Sequence, residues 1–211
     1  MKLVAYDLEG VLVDRRSIWI DISKITGTFE LNQKHRERYV RGKISYRRWS
    51  DIVVSSWNGF SVDIIEELIA GTPLMDGSEQ TVKKINEMGH NQGIISNSIT
   101  LLADRIGERL GMDREYISAN VLGVDDGKLT GKMSVYHGWE DKVKTLRRYA
   151  SRMRISMKDT VAVGDDINDM EMIKESGLGI AFNPKSDLLE EAADVVIKEK
   201  DLRAILPYIK D

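Results

Sequence analysis

The sequence predicts an α/β fold: a mostly parallel sheet with helices on both faces and a helical insertion near the start of the chain. Three observations predict it. From Gly71 onward, short apolar strand-like segments alternate with amphipathic helical ones, the pattern of βα units that build a parallel sheet. Thr160-Val161-Ala162-Val163 has no polar alternation, as expected of a strand covered on both faces. Residues 14–74 are poor in strand signals and carry apolar residues at helical spacing.

The elements follow in order. Leu3-Val4-Ala5-Tyr6 is a short strand that runs straight into Asp7-Leu8-Glu9-Gly10-Val11-Leu12-Val13. In the insertion, Ile18, Ile22 and Ile25 mark one helix, Trp49, Val53 and Trp57 another, and Ile65, Leu68 and Ile69 a third, with Gly27, Gly42 and Gly59 as breaks. Trp19, Trp49 and Trp57 are expected to pack the insertion rather than to form a ligand platform. Asp76 is placed as the cap of a helix that turns Val82, Ile85 and Met88 inward and ends at Gly89. Gly93-Ile94-Ile95 is a buried strand, followed by a helix from about Ile99 to Leu110 that Gly111 closes. Tyr116 to Val121 reads as a strand, and Val124-Asp125-Asp126-Gly127-Lys128-Leu129 carries the Asp-Gly signature of a tight hairpin. A helix from about Gly138 to Arg152 precedes the Val161 strand; Asp165 or Asp166 then opens a helix to about Glu175. Gly179-Ile180-Ala181-Phe182 and Val195-Val196-Ile197 are the last strands, and Asp201 to Ile209 the closing helix.

Size and composition exclude several function classes. The 211 residues fit one domain or one domain with an insert. A net charge of −3 disfavours a general polyanion binder, so no nucleic-acid partner is expected. The chain has no cysteine, which excludes disulfides, thiolate zinc sites and a thiol nucleophile. No run approaches the roughly 20 apolar residues that span a bilayer, and the N-terminus has no signal-peptide pattern. A cytoplasmic protein without a membrane partner is therefore expected.

Four groups after strand ends could carry chemistry, because such groups converge at one edge of a parallel sheet. Strand periodicity points Asp7 and Glu9 the same way. Their mutual repulsion is relieved by a metal ion, a shared proton or solvent exposure. Ser96-Asn97-Ser98 offers a hydroxyl and backbone N–H groups, either as a helix cap or as a seat for an anion. Lys142, in a first helical turn, opposes the helix dipole and gains from a nearby anion, or else is a surface lysine. Gly164-Asp165-Asp166-Ile167-Asn168-Asp169 puts three acids within five positions. Capping needs only one acid, so oxygen ligands for a hard cation such as Mg²⁺ are the better reading. Together, two acidic turns would hold a cation, and a hydroxyl–amide turn with a lysine would hold a phosphate. An aspartate between them could attack phosphorus. Lys34 to Arg48 carries seven basic residues and one acid, either a solvated face or a positive lid over an anionic ligand.

In this order the four motifs resemble those of the haloacid dehalogenase superfamily of aspartate-nucleophile phosphatases, and within it the phosphoserine phosphatases. The matching stretches include Thr72-Pro73-Leu74-Met75-Asp76-Gly77, Asp126-Gly127-Lys128-Leu129-Thr130-Gly131, Asp159-Thr160-Val161-Ala162-Val163-Gly164-Asp165 and Lys200-Asp201-Leu202-Arg203-Ala204-Ile205-Leu206. The resemblance implies a Rossmann-like catalytic core made of 1–13 and 75–211, and a small helical cap of the C1 type over 14–74. It also implies cap motion about Val13-Asp14-Arg15 and Thr72-Pro73-Leu74. By the same resemblance Asp7 is the nucleophile and Glu9 the acid/base. Mg²⁺ is held by Asp7, the Glu9 carbonyl and Asp165, with Asn168 and Asp169 outside them. Ser96, Asn97 and Lys142 hold the phosphate. Arg15, Arg16 and Tyr46 are the candidate substrate-reading residues of the cap.

The chain departs from the family pattern in three places. Glu9 stands where the family has Asp, and the same Asp-Leu-Glu-Gly-Val-Leu string resembles relatives that pass the phosphate to homoserine. Ser96-Asn97-Ser98 replaces Ser-Gly-Gly. The glutamate expected to hold a serine amino group falls at Arg16, and the arginine for its carboxylate falls near Asp51 or Val53. Arg15, Arg16 and the basic run from Lys34 instead favour a more anionic phosphoester. The expected function is a Mg²⁺-dependent phosphomonoester hydrolase for a small phosphorylated metabolite, as a monomer or homodimer. The alternatives are a phosphotransferase to a small alcohol and a catalytically silent phosphate sensor.

Overall fold

The structure is a computed structural model and describes residues 1–135 and 137–210. Seven strands form one sheet in the order β4-β3-β2-β1-β5-β6-β7. They are β1 (Leu3–Tyr6), β2 (Asn91–Ile99), β3 (Ile117–Asp125), β4 (Lys128–Val135), β5 (Thr160–Gly164), β6 (Leu178–Phe182) and β7 (Val195–Ile197). All pairs are parallel except β3 with β4, the antiparallel hairpin at one edge. Asp126 and Gly127 at its tip have φ of 45° and 70°, the left-handed pair that a tight two-residue turn requires.

β1 lies at the centre with β2 on one side and β5 on the other. Both flanking strands run parallel to it, so the strand order reverses here and the carboxyl ends of the three strands open a crevice. Side chains of β1 alternate between the two faces. Val4 and Tyr6 join the core that includes Ile94, Val163 and Phe182. Leu3 and Ala5 join a second cluster that holds Leu146, Ile173 and Leu189. These lie on α7 (Asp141–Arg152), α8 (Met170–Glu175) and α9 (Asp187–Ala192). All four β1 residues are fully buried. Burying each large apolar side chain contributes about 1.5–3 kcal/mol, which anchors the strand that carries Asp7.

Residues 14–74 contain α1 (Ile18–Ile25), α2 (Phe29–Val40), α3 (Tyr46–Ser55) and α4 (Val62–Ala70). Ser45 caps α3 by accepting from the Arg48 N–H, and Ser61 caps α4 by accepting from the Asp63 N–H. A side-chain chain ties the first three helices together. Trp49 Nε1 donates to Asn32 Oδ1, Asn32 Nδ2 donates to Ser23 Oγ, and Ser23 Oγ donates to the Trp19 carbonyl. The chain enters this segment past Val13 and returns at Leu74, and those two residues form an antiparallel bridge. Asp14 N–H donates to the Pro73 carbonyl, and Met75 N–H to the Leu12 carbonyl.

Several boundaries differ from the sequence-based expectation. β2 continues through Ser96-Asn97-Ser98 to Ile99, and α6 (Thr100–Leu110) starts only after it. The polar triplet is held extended because Asn120 Nδ2 donates to the carbonyls of Asn97 and Ser98. It is therefore a strand end rather than a helix start. Asp76 does not cap α5 (Ser78–Glu87). Gly77 takes that place in the left-handed region, and the Asp76 carbonyl accepts from Leu202 N–H instead. The closing element is a 3₁₀ helix, Leu202–Tyr208, interrupted by Pro207, which cannot donate within an α-helix. Among the described residues, no helix is long and apolar enough to cross a membrane.

Candidate active site

The crevice at the carboxyl ends of β1, β2 and β5 opens into a cavity of about 740 Å³. Its floor is built by the turn after β1. Leu8 carbonyl accepts from Leu12 and Val13 N–H, and Gly10 N–H donates to the Val13 carbonyl. This coils the chain tightly just past the strand. Gly10 has φ +87°, and a Cβ there would lie 1.8 Å from Asp165 Oδ2. Glycine is therefore required on two grounds, its backbone conformation and the approach of a carboxylate.

The floor gathers three carboxylates and one ammonium. Oxygens of Asp7, Asp165 and Asp169 lie within 4.8 Å of one another, and all three residues are buried. Lys142 Nζ stands 3.0 Å from Asp7 Oδ1 and 2.6 Å from Asp169 Oδ1. Asp7 Oδ1 also accepts from Leu8 N–H at 2.7 Å. Asp169 Oδ2 accepts from the N–H groups of Asp165 and Asp166. Lys185, in the loop after β6, pairs with Asp165 Oδ2.

Charge and burial act against each other here. Burial would lower the Lys142 ammonium, yet Asp169 and Asp7 hold it well above the usual lysine range. Burial raises Asp165 and Asp169, and the Asp7 charge raises both further; Lys185 and Lys142 respectively oppose this. Glu9 is pushed up to about 7, chiefly by burial, with Asp7 adding to the rise. The Ile18 N–H, which donates to Glu9 Oε1 at 2.5 Å, pulls the other way.

The sequence-derived candidates separate into two sets. Asp7, Glu9, Ser96, Asn97, Asp165, Asn168, Arg16 and Tyr46 all line the cavity. Lys142 and Asp169 are not among the lining residues but join the cluster, Lys142 Nζ pairing with both Asp7 and Asp169. Ser96 Oγ accepts from Ser98 N–H. Asn97 reaches Asn168, whose Nδ2 donates to Asn97 Oδ1, and donates through its own Nδ2 to the His137 carbonyl. Arg15 is a correction. Its guanidinium donates to Asp21 Oδ2 at 2.5 Å and to the Leu68 carbonyl at 2.9 Å, inside the helical segment and away from the cavity. Asp169 stands as close to the acid cluster as Asp7 and Asp165, but its oxygens are taken by Lys142 and two backbone N–H groups.

Two further expectations about tryptophans divide. Trp57 is fully buried, as packing requires. Trp19 and Trp49 also pack against the core, Trp19 with its ring 5.3 Å from that of Trp57, but in addition they line the cavity, and Trp19 Nε1 donates to the Asn97 carbonyl. Lys185, Trp139 and Asn120 escaped the sequence reading. Lys185 follows Phe182 at the same sheet edge as the other groups, and that position was the signal for it. Asn120 and Trp139 had no such signal.

The residues present suit a hard divalent cation. The cluster of Asp7, Asp165 and Asp169 offers carboxylate oxygens, and among the described residues the ammonium groups paired with it are those of Lys142 and Lys185. That excess of negative charge in a buried site is what such an ion neutralises.

Comparison with known proteins adds three findings. The family model for haloacid dehalogenase-like hydrolases matches residues 1–177. The chain is 35% identical over 210 residues to a phosphoserine phosphatase of Methanocaldococcus jannaschii, covering 99% of this chain and 98% of that one. It is 30% identical over 210 residues to a phosphoserine phosphatase of Archaeoglobus fulgidus, of which it spans 60%. Among solved structures, one described as a phospho-aspartyl intermediate analogue of phosphoserine phosphatase superposes with a TM-score of 0.86 at 34% identity, over 99% of both chains.

Proposed function

Because the chain belongs to the haloacid dehalogenase-like hydrolases, we propose that it is a Mg²⁺-dependent phosphomonoesterase, a phosphoserine phosphatase or close relative working through a phosphorylated Asp7. One observation carries this reading. Asp7 has Oδ1 3.0 Å from a buried ammonium and an oxygen within 4.8 Å of two further carboxylates, at the floor of a cavity. A carboxylate so placed is oriented by its cation and open on one side to an incoming phosphoryl group.

Each residue then has a task. Asp7 attacks phosphorus, and the bond from phosphorus to the leaving oxygen breaks. Glu9, with a pKa of about 7, is partly protonated at neutral pH and gives its proton to that oxygen. It then takes a proton from the water that attacks phosphorus, which releases phosphate and restores Asp7. Ser96, the Asn97 N–H and Lys142 receive the phosphoryl oxygens. Asp7, Asp165 and the Glu9 carbonyl would hold Mg²⁺, which when bound would supply positive charge against those oxygens. Residues 14–74 serve as a cap that excludes water, moving about the Val13–Leu74 crossing.

Phosphate release from phosphoserine and from p-nitrophenyl phosphate, with Mg²⁺ and with a chelator, tests the reading. Release that needs Mg²⁺ and disappears in Asp7→Asn is the expected result. Release that persists in Asp7→Asn would sink it.

A further inference from the structure

The roof of the cavity has a different chemistry from its floor. Four aromatic rings meet there: Tyr39 from α2, Tyr46 and Trp49 from α3, and Trp139 from the loop before α7. Tyr39 stacks on Trp49 at 5.4 Å with planes 15° apart, and Trp139 meets Tyr39 at 5.8 Å and Tyr46 at 5.3 Å. All four line the cavity. The cluster shares this space with the reaction end, since Asp7 and Glu9 line the same cavity.

Two guanidiniums, Arg16 and Arg36, also line the cavity and have no carboxylate partner among the described residues. The carboxylates that line it, Asp7, Glu9, Asp165 and Asp166, all belong to the floor turns after β1 and β5. The roof therefore offers ring faces and positive charge, and no anion to receive an ammonium group. The whole cavity, floor and roof together, has a volume of about 740 Å³, in the upper part of the roughly 300–1,000 Å³ range of pockets that enclose drug-sized ligands. A three-carbon amino-acid ester would leave most of it empty.

We infer that the preferred substrate is a phosphomonoester whose organic part carries a planar ring and a second anionic group, the ring against the Tyr39–Tyr46–Trp49–Trp139 wall and the anion at Arg16 and Arg36. This rests on the phosphatase reading and adds the substrate class to it. Ring faces select flat groups through stacking and edge contacts. An unpaired guanidinium at a cavity wall selects carboxylate or phosphate through paired N–H donors. A zwitterionic amino acid meets two like charges where its ammonium would need an opposite one.

The test compares kcat/KM for ethyl phosphate, phosphoserine, benzyl phosphate and 4-carboxybenzyl phosphate, with Mg²⁺. All four release a primary alkoxide, RCH₂–O⁻, as the P–O bond breaks, so leaving-group chemistry is closely matched. Benzyl phosphate is expected to exceed ethyl phosphate by about tenfold, mostly in KM, and the carboxylate to add a further several-fold. In Trp49→Leu, and separately in Trp139→Leu, the benzyl-to-ethyl ratio should fall towards one. In Arg16→Gln/Arg36→Gln the gain from the carboxylate should vanish while the benzyl-to-ethyl ratio stays. The ratio is read within each variant, so a change in the amount of folded protein does not alter it, and the native enzyme alone already decides. Phosphoserine or ethyl phosphate matching the aromatic esters overturns the inference and leaves the phosphatase reading standing. No turnover of any of the four overturns both.

Discussion

At the floor of the cavity, Asp7, Asp165, Asp169 and Lys142 are buried, and each has a charged partner at hydrogen-bonding distance. At the roof, Arg16 and Arg36 are exposed and unpaired among the described residues, and the rings around them touch mainly one another. The two regions face the same space and obey different physics. A buried charge without a partner is costly, so every floor residue constrains the next. An exposed guanidinium beside an aromatic ring carries no such constraint. The floor is therefore rigid in its chemistry, and the roof is free to set what enters.

The sharpest way to break this contrast is at Asp7. Asp7→Asn should lower kcat by on the order of 10⁴-fold or more, as loss of a nucleophile does. It should leave the metal-free protein at least as resistant to heat, since one of three crowded carboxylates loses its charge. A melting temperature that falls with activity would mean that Asp7 holds the floor together rather than only acting in it.

Lys142→Met probes the same floor from the cation side. It strands Asp7 and Asp169 without their shared ammonium, and breaking a buried pair in this way costs about 3–5 kcal/mol. Urea unfolding should register that loss. A change under about 1 kcal/mol would place Lys142 among the dispensable surface lysines.

The floor should also make stability depend on pH and metal together. Burial holds Glu9 at about 7 and raises Asp165 and Asp169, against roughly 4 in an unfolded chain. The folded, metal-free protein thus keeps protons that the unfolded chain has released. Its stability should fall as pH rises from about 4 through 7, with Mg²⁺ flattening the slope by favouring the ionised carboxylates. Calorimetry from pH 5 to 8 with and without Mg²⁺ measures this, and identical slopes would contradict it.

The smallest effect separates neighbours in sequence. Arg15→Gln removes bonds to Asp21 and the Leu68 carbonyl and should cost about 1–2 kcal/mol of stability without changing KM. Arg16→Gln should change KM for anionic substrates and leave stability within about 0.5 kcal/mol. The reverse pattern would exchange their assignments.

The floor was legible in the sequence for the reason that makes it rigid. Acids after short apolar strands stand out because strands end in few chemically distinct ways, and Asp7, Asp165 and Asp169 were all found from spacing. The Asp126-Gly127 hairpin was read from its left-handed requirement. What was not legible depends on contacts distant in the chain. Ser96-Asn97-Ser98 is strand because Asn120, on the neighbouring strand, bonds its carbonyls. The roof joins Tyr39 and Trp49 to Trp139, about a hundred positions later, and helical spacing showed the packed side of Trp19 and Trp49 but not the side they turn to the cavity. Arg15 and Arg16 are indistinguishable by composition, and only the fold turns one inward to Asp21 and the other to the cavity.

The backbone bridge between Val13 and Leu74 has a wider consequence. Sixty residues depart and return through positions that touch, and residues 59–62 meet the sheet a second time, through backbone hydrogen bonds with Gly127 and Leu129 at the β3–β4 tip. A replacement for this upper storey would have to fit both seams, the one where its ends meet and the one where its middle leans on the sheet edge.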